Sequence, residues 1–259
     1  MKKRLFTIFA AMTLMHVVAF SQSADFYGVV HFGGNVPVGN FSKATVNNGV
    51  VEKWGLADES TYGGAGIGTY AGLLGAKRIR GIEELSVFVS LDFFFNPLNK
   101  TLRDHKEQYE VDNINTHDKY EQSFPVYFNI PMFAGCRYDF YTSNRNISIF
   151  SQLGIGADFR IITDYSIYWN MYKQSSAAYR YMEEYRNKVA FAAMAGAGAI
   201  FFDRIQVGLQ YHYLGTARVI SDSETIINEE NGSSKTIPMA NSRGRLTPHL
   251  ISLTVGYVF

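Results

Sequence analysis

Three residues near the end of the chain, His212, His249 and Ser252, have the side chains of a hydrolase or acyltransferase site. In such a site a nucleophile needs a base within hydrogen-bond reach and a third group that orients the base. His249 and Ser252 lie three positions apart in one alternating segment, which places them on opposite faces of a strand. The sequence therefore favours a protein that is not an enzyme.

A second set of polar residues lies at alternating positions within otherwise apolar segments. The set comprises Asp92, Arg137, Gln152, Asp158, Arg160, Gln210 and His212. Charged groups cannot face lipid at low cost, so in a membrane barrel these side chains are predicted to turn inward and pair. The structural interpretation is a polar network that holds a narrow barrel together, and the functional alternative is a polar path for a solute.

No pattern for a metal or cofactor is found. The six His residues do not have the spacing of metal ligands, and the acidic residues do not form a calcium loop. The glycine-rich stretch from Tyr62 to Gly72 is not followed by the Lys-Ser/Thr pair of a phosphate-binding loop. The sequence predicts no metal and no cofactor.

The start of the chain predicts export. Met1-Lys2-Lys3-Arg4 is basic, and the segment from Leu5 to Phe20 is mostly apolar, which is typical of a secretory signal peptide; the alternative is an N-terminal membrane anchor. Residues 1–21 are predicted to be removed, leaving one domain over residues 22–259. The mature chain then has 21 basic and 23 acidic residues, and this net charge of −2 gives no indication of nucleic-acid binding.

Composition favours a β-protein. The chain contains 20 Phe, 17 Tyr and 23 Gly but only 6 Pro, and aromatic residues are enriched in strands. No apolar stretch after the signal segment is long enough for a membrane helix, whereas short alternating segments are frequent. The single Cys136 excludes an intramolecular disulfide and is expected to pack on a strand.

Period-two alternation predicts eight strands. They are Phe26 to Val36, Tyr62 to Leu74, Leu85 to Phe95, Val126 to Tyr138, Ile147 to Ile162, Val189 to Phe202, Ile205 to Leu214 and His249 to Phe259. The intervals between them contain 25, 10, 30, 8, 26, 2 and 34 residues, so long and short connections alternate. This pattern predicts an all-β fold in the outer membrane, an eight-stranded antiparallel transmembrane β-barrel with short periplasmic turns and long extracellular loops. Ten strands remain open if a long loop contains a hairpin, and a soluble periplasmic β-protein is the alternative class.

The long loops differ in character. The segment from Asn96 to Pro125 is highly charged, and Asn231-Gly232 predicts a hairpin that extends beyond the membrane. Ser176 is interpreted as the cap of a short helix that runs to Lys188. The third loop also carries aromatic candidates for partner binding, which could instead form an interfacial girdle. These candidates are Tyr165, Tyr168, Trp169, Tyr172, Tyr179 and Tyr181.

The interior of an eight-stranded barrel is just wide enough to be filled by side chains, which disfavours a general porin. Glycines share faces in three predicted strands, for example Gly154 with Gly156 and Gly196 with Gly198. They are expected to accommodate bulky neighbours such as Phe88, Phe94 and Phe150 rather than to leave a cavity.

Three segments resemble the small outer-membrane β-barrel proteins of Gram-negative bacteria, the OmpX-like and PorT-like porin family group. Gly33-Gly34 with Pro37, Gly39 and Phe41 is similar to the first strand and its exit, and Asn129-Ile130-Pro131 through Arg137-Tyr138 resembles the strand that returns from the second loop. The ending Val255-Gly256-Tyr257-Val258-Phe259 resembles the assembly signal of these proteins. The resemblance implies that the barrel assembly machinery reads Val255, Tyr257 and Phe259, and its PorT-like branch implies participation in protein secretion.

The sequence leaves three functions open. The first is a non-enzymatic barrel with a structural or partner-binding role, whose expected partners are outer-membrane lipid, the assembly machinery and an envelope or secretion protein. The second is a narrow channel or transporter for a small or hydrophobic solute. The third is a lipid-modifying enzyme.

Overall fold

A computed structural model of the chain describes residues 25–43, 45–47, 50–53, 63–104, 119–144, 146–170, 178–185, 187–219, 221–228, 231–238 and 244–259. The predicted signal peptide lies outside the described residues. Among the described residues, no helix is long and apolar enough to cross a membrane.

The described residues form seventeen β-strands. In chain order they are β1 (Phe26–Val38), β2 (Thr45–Asn47), β3 (Val50–Lys53), β4 (Gly68–Ile79), β5 (Ile82–Pro97), β6 (Lys119–Ser123), β7 (Val126–Tyr141), β8 (Ile147–Ile162), β9 (Tyr165–Asn170), β10 (Ala178–Tyr185), β11 (Lys188–Phe201), β12 (Ile205–Tyr213), β13 (Ala217–Val219), β14 (Ser221–Asn228), β15 (Ser234–Pro238), β16 (Gly244–Leu246) and β17 (His249–Val258). A 3₁₀ helix (Gly39–Phe41) follows β1, and residues 100–104 are helical.

Eight of these strands form a closed antiparallel barrel in the order β1-β17-β12-β11-β8-β7-β5-β4. The last strand closes it by pairing with β1 on one side, where Phe32 faces Val255, and with β12 on the other, where Leu209 faces Leu253. Reciprocal backbone hydrogen bonds between Gly28 and Phe259, of 2.9 and 3.0 Å, continue the ladder to the C-terminus. Closure leaves no unpaired edge in the barrel wall. The barrel contains eight strands, not ten.

The predicted strands correspond to the barrel strands, and β8 has the predicted bounds. The largest difference is β4, predicted to span Tyr62 to Leu74 but observed at Gly68–Ile79. Gly63 lies under Phe41 and Leu246, and Gly64 has φ +59°, so this segment is an irregular connection. Tyr62 lies outside the described residues. Because β4 continues through Lys77 and Arg78, the next turn contains two residues, 80–81, instead of the predicted ten.

The connections divide the barrel into two different ends. Residues 80–81, 142–146 and 202–204 form short turns at the end that also holds the start of β1 and the end of β17. Residues 39–67, 98–125, 163–187 and 214–248 connect the strands at the opposite end. In outer-membrane barrels the short turns and both termini face the periplasm. The long connections are therefore extracellular.

The outer wall carries an apolar belt. Large apolar side chains point outward from seven of the eight barrel strands, and Leu153, Phe32 and Leu253 are 66%, 63% and 62% exposed at the centre of their strands. Their strand neighbours Gln152, His31 and Ser252 point inward and are 0–2% exposed. A closed barrel with an apolar outside and a polar inside satisfies every backbone group in lipid. The chain is an outer-membrane β-barrel protein, and Cys136 is exposed on the outward face of β7.

Three of the four extracellular connections contribute strands to a second sheet. This outer sheet has five antiparallel strands in the order β15-β14-β10-β9-β6. The predicted Asn231-Gly232 hairpin is confirmed, since Ile226 of β14 pairs with Lys235 of β15. The predicted helix from Ser176 to Lys188 is wrong. Ser176 lies outside the described residues, and residues 178–185 form β10, because pairing with β9 and β14 on both sides overrides the local capping signal.

Candidate functional site

The centre of the barrel interior holds a compact polar cluster. His31 Nε2 lies 3.0 Å from Asp92 Oδ1, and the Tyr70 hydroxyl lies 2.6 Å from His31 Nε2 and 3.1 Å from Gln210 Oε1. All four residues are 1–2% exposed. The contact between His31 and Asp92 crosses β4 at Gly72, where a Cβ atom would lie only 2.0 Å from Asp92 Oδ1. Gly72 therefore permits the close contact between His31 and Asp92.

His212 lies beside this cluster but packs against rings. Its ring centroid is 4.8 Å from that of Phe94, 5.7 Å from Tyr70 and 5.9 Å from Phe133. Neither ring nitrogen has a hydrogen-bond partner among the described residues, and the side chain is completely buried. His212 is held by packing in the barrel centre, out of reach of any external substrate.

Arg160 forms the polar centre of the extracellular end. Its guanidinium donates to Asp158 Oδ2 at 3.2 Å and to Asn129 Oδ1 at 3.0 Å on the barrel wall. It also donates to the carbonyl oxygens of Leu214 at 2.8 Å and Leu246 at 3.0 Å, which lie at the two ends of the fourth loop. The side chain is 1% exposed. One buried cation thus ties two wall strands to both ends of a loop.

An apolar layer covers this end of the barrel. Phe41 from the first loop packs edge-on against Tyr127 at 5.1 Å, and the Tyr127 hydroxyl donates to the carbonyl of Gly63 at 2.5 Å. Leu214 and Leu246 from the fourth loop are 0–1% exposed. We call Phe41, Leu214, Leu246 and Tyr127, together with Arg160, the extracellular cap. It closes the barrel over its polar centre.

The periplasmic end has a different polar group. Arg137 donates to Asp139 Oδ1 at 2.9 Å and to Gln206 Oε1 at 2.7 Å, and its guanidinium lies 4.0 Å from the ring centroid of Phe150. All these partners belong to the barrel wall. Beside Asp139 an open cavity of about 110 Å³ faces the periplasm. This end therefore has a charged recess where the other end has an apolar cover.

Side chains fill the space between the two ends. Phe88 occupies the space above Gly154, and Phe150 occupies the space above Gly208. Phe94 and Phe133 are each 1% exposed, and Arg137, Asp92 and His212 are 0–1% exposed. A water-filled path along these residues would leave them accessible. Among the described residues the interior is therefore filled, and an eight-stranded barrel is narrow enough for side chains to fill it.

The structure places all seven predicted inward residues in the interior, and all of them except Gln152 fall into three groups rather than one network. Asp92 and Gln210 belong to the central cluster beside His212, Arg137 lies at the periplasmic end, and Asp158 pairs with Arg160 under the cap. Sequence reasoning missed His31, Tyr70, Asn129, Asp139 and Gln206. Each of these residues occupies an inward position in its strand. The alternation of inward and outward positions was therefore the sequence signal that could have identified them.

Five of the six aromatic candidates of the third loop lie in strands of the outer sheet, beyond the barrel wall. Tyr165 is only 4% exposed, packs 6.2 Å from Phe124 and accepts a hydrogen bond from Gln122, so it is a structural residue rather than a contact residue. Tyr168 is half-buried beneath the exposed Arg180, whose guanidinium lies 6.0 Å from the ring. Trp169 lies in β9, and Tyr179 and Tyr181 lie in β10. Tyr172 lies outside the described residues.

Comparison with known proteins gives similarity at the level of solved structures. No family model matches the chain, and no curated protein matches it. The chain is similar to Ail, the attachment invasion locus protein of Yersinia pestis, in complex with the heparin analogue sucrose octasulfate, with 10% identity, a TM-score of 0.37, and coverage of 91% of this chain and 99% of that chain.

Two further solved structures are similar. A major outer membrane protein from Thermus thermophilus has 11% identity and a TM-score of 0.43, with coverage of 92% of this chain and 100% of that chain. Neisserial surface protein A has 11% identity and a TM-score of 0.37, with coverage of 90% and 95%. The assignment of this chain to the outer membrane rests on its own closed sheet and apolar outer face.

The histidine and serine residues near the C-terminus do not form a reactive arrangement. His249 Nδ1 lies 2.5 Å from the hydroxyl of Tyr211, while Ser252 is completely buried in the interior, so the two lie on opposite faces. Within the described part of the chain, no group of three or more His, Cys, Asp or Glu side chains is placed to hold a metal ion. Within the described part of the chain, the outer sheet and the periplasmic recess are two further arrangements that lie at the surface.

Proposed function

We propose that the protein is a non-enzymatic outer-membrane barrel that binds a protein partner through its outer sheet. The observation that carries this proposal is that β6, β9, β10, β14 and β15 come from three different connections and pair in one sheet. Loops that are already fixed in one sheet lose less conformational entropy when a partner binds than free loops would lose. The barrel then acts as a membrane anchor for a preorganised surface.

The composition of the sheet supports binding by a protein. In the backbone register, Trp169 of β9 is opposite Tyr120 of β6 and Tyr179 of β10. In the next row Tyr168 is opposite Glu121 and Arg180. Tyr, Trp and Arg are the residues most enriched in the energetic centres of protein interfaces. Successive residues of a strand face opposite sides of a sheet, so the row of Tyr168, Glu121 and Arg180 shares one face, where the Arg180 guanidinium lies 6.0 Å from the Tyr168 ring.

The faces of the sheet suit this role better than its edges. The end strand β15 contains Lys235 and Pro238, and the end strand β6 contains Lys119 and Glu121. Lysine and proline in an end strand discourage pairing with a further strand. We therefore assign the contact to a sheet face, with the exposed Arg180 within it.

The filled interior argues against the channel and the enzyme. Solute movement would have to displace the cap and side chains that are 0–2% exposed, including the central His31 and Asp92. The same burial keeps the interior histidines from any substrate. An enzyme would need its nucleophile and base on an accessible surface.

Two further partners follow from the barrel. The outer belt requires lipid, and we propose that the barrel assembly machinery recognises the last strand through Val255, Tyr257 and Phe259. Val255 and Tyr257 point outward and are 44% and 47% exposed, so a factor outside the wall could contact them.

Site-specific photo-crosslinking in intact cells tests the outer sheet. A photoreactive residue at Arg180 or Thr236, both exposed in the sheet, should give discrete protein adducts. The same residue at Lys100 is the extracellular control outside the sheet, and at Arg80 it is the periplasmic control. Adducts at both sheet positions would support the proposal if the adduct at position 236 is also lost when Arg180→Ala is introduced into that variant. Equal adduct patterns at all four positions, or none in the sheet, would contradict it.

A further inference from the structure

The recess at the periplasmic mouth is independent of the outer sheet. It has a volume of about 110 Å³, and the residues that define its character are Tyr27, Arg78, Asp139, Ile200, Asp203 and Val258. These residues come from β1, β4, β7, β11, β17 and the turn after β11, so the recess lies within the ring of strands. Lipid contacts the opposite face of the wall, which leaves the periplasm as the source of a ligand.

Charges of both signs line the recess. Asp139 is 5% exposed and uses Oδ1 to accept from Arg137, while Arg78 and Asp203 are exposed at the rim. The buried Tyr27 hydroxyl has no hydrogen-bond partner among the described residues. The guanidinium of Arg78 lies 5.8 Å from the centroid of the Tyr27 ring, which places a cation over this ring at the rim. A ligand that carried only a positive charge would face Arg78, and a ligand that carried only a negative charge would face Asp139 and Asp203. A ligand with a single charge would therefore meet a like charge in the recess.

The turn after β11 presents Asp203 through an uncommon backbone conformation. Phe202 and Asp203 have φ values of +55° and +58°, in the left-handed region that bulky residues rarely adopt. A backbone hydrogen bond of 2.8 Å from Phe202 N to the carbonyl of Asn146 holds this turn against the neighbouring turn. The backbone at Asp203 is thus held at the rim of the recess.

The size and apolar lining restrict the ligand further. A cavity holds a water molecule from roughly 10–15 Å³, so this recess has room for a small organic group. Ile200 is 8% exposed and Val258 is half-buried, and they offer an apolar surface for a short aliphatic carbon. A phosphate or a metal ion would make no use of this surface.

We propose that the recess binds an α-amino-acid group, in which an ammonium and a carboxylate share one carbon. Arg78 binds the carboxylate, the carboxylates of Asp203 and Asp139 receive the ammonium, and Ile200 and Val258 contact the attached carbon. The same group occurs in free amino acids and at the end of longer molecules. The chemistry of the recess is common to both sources.

Titration of the mature, folded protein in detergent micelles tests this proposal. The amide NMR signals of residues 27, 78, 139 and 203 are followed during addition of alanine, acetate or ethylamine. Saturable shifts with alanine, and binding about tenfold weaker for the two singly charged probes, are expected. γ-Glutamyl-diaminopimelic acid presents the same group on a tether. Binding of alanine identifies the free amino acid as sufficient, and binding of the tethered group alone identifies the longer ligand.

Two variants and one matched control complete the experiment. Arg78→Gln and Asp203→Asn alter exposed residues and should each weaken binding about tenfold, while the barrel retains its heat-dependent gel migration. Arg80→Gln removes a charge from the same end outside the recess and should leave binding unchanged. Absence of saturable shifts with both amino-acid probes, binding of acetate or ethylamine equal to alanine, or equal effects of all three substitutions would overturn the proposal. The result of this binding experiment is independent of the crosslinking experiment on the outer sheet, so the two proposals can fail separately.

Discussion

The two ends of the barrel use a buried arginine in different ways. At the extracellular end, Arg160 reaches past the wall and holds the carbonyl groups of Leu214 and Leu246. At the periplasmic end, the side-chain partners of Arg137 within the described part of the chain belong to the wall, namely Asp139 and Gln206. The first arginine closes the barrel with loops, whereas the second stabilises the wall and leaves an open recess.

The largest expected effect comes from breaking the extracellular closure. Arg160→Met leaves Asp158 without its cationic partner and removes the donor shared by Asn129 and two loop carbonyls. Loss of one partner of a buried ion pair costs about 3–5 kcal/mol. The free energy of unfolding is measured in urea by the heat-dependent gel shift.

The matched control is Arg245→Met, which alters an exposed arginine at the same end and should change stability by less than about 0.5 kcal/mol. The extracellular loops of the Arg160 variant should also be cleaved faster by protease in intact cells. Equal stability and equal cleavage for the two variants would show that Arg160 does not hold the cap.

The belt between the two ends provides the second test. Leu253 lies at the centre of β17 and is 62% exposed on the outward face. Leu253→Arg places a charge near the middle of the lipid and should destabilise the barrel by about 2–4 kcal/mol. Urea unfolding in phospholipid vesicles measures this change. Ser234→Arg, in the exposed part of β15, is the control and should have little effect; a similarly small effect at Leu253 would contradict the lipid contact.

The third test separates the central cluster from both ends. A Cβ atom at Gly72 would lie 2.0 Å from Asp92 Oδ1 and 2.2 Å from His31 Nε2, whereas nothing lies within 4 Å of a Cβ atom at Gly75 of the same strand. Gly72→Ala should therefore cost about 1–3 kcal/mol by overpacking. Gly75→Ala is the matched control, and its effect should stay within about 0.5 kcal/mol. Equal urea midpoints for the two variants would disprove the close contact.

The smallest expected effect sharpens the description of the periplasmic end. Phe202 has φ +55°, and asparagine adopts this conformation more readily than phenylalanine. Phe202→Asn should raise the free energy of unfolding by about 0.5–1 kcal/mol. A lower urea midpoint would show that the Phe202 ring, which is 66% exposed, contributes more than the turn conformation costs.

The barrel was predictable from the sequence because its signal is local. Seven of the eight spanning strands carry large apolar residues on the outward face and alternate them with inward residues that are small, polar or aromatic, as Leu253 and Ser252 do. The error in β4 arose because Gly63 and Gly64 fit a strand pattern, whereas Gly63 packs tightly under Phe41 and Gly64 has φ +59°. Charged Lys77 and Arg78 concealed the true end of the strand, since they lie where the wall meets the periplasm.

The grouping of the polar residues was not predictable, because it depends on register across strands. His31 and Asp92 meet only because Gly72 lies between them, and Arg160 meets the fourth loop through carbonyl groups that carry no sequence signal. The outer sheet depends in the same way on pairing between three loops. Local patterns therefore predict a hairpin within one loop correctly and miss β6 and the pairing of β9 with β10.

Chemical labelling of single cysteines in intact cells tests the central claim, that the outer sheet and the recess lie on opposite sides of the membrane. In a Cys136→Ser background, Ser234→Cys marks the outer sheet and Arg80→Cys marks the periplasmic turn; both sites are exposed. A membrane-impermeant maleimide should label position 234 in intact cells and position 80 only after the outer membrane is permeabilised. Labelling of position 80 in intact cells, with position 234 protected, would contradict the account.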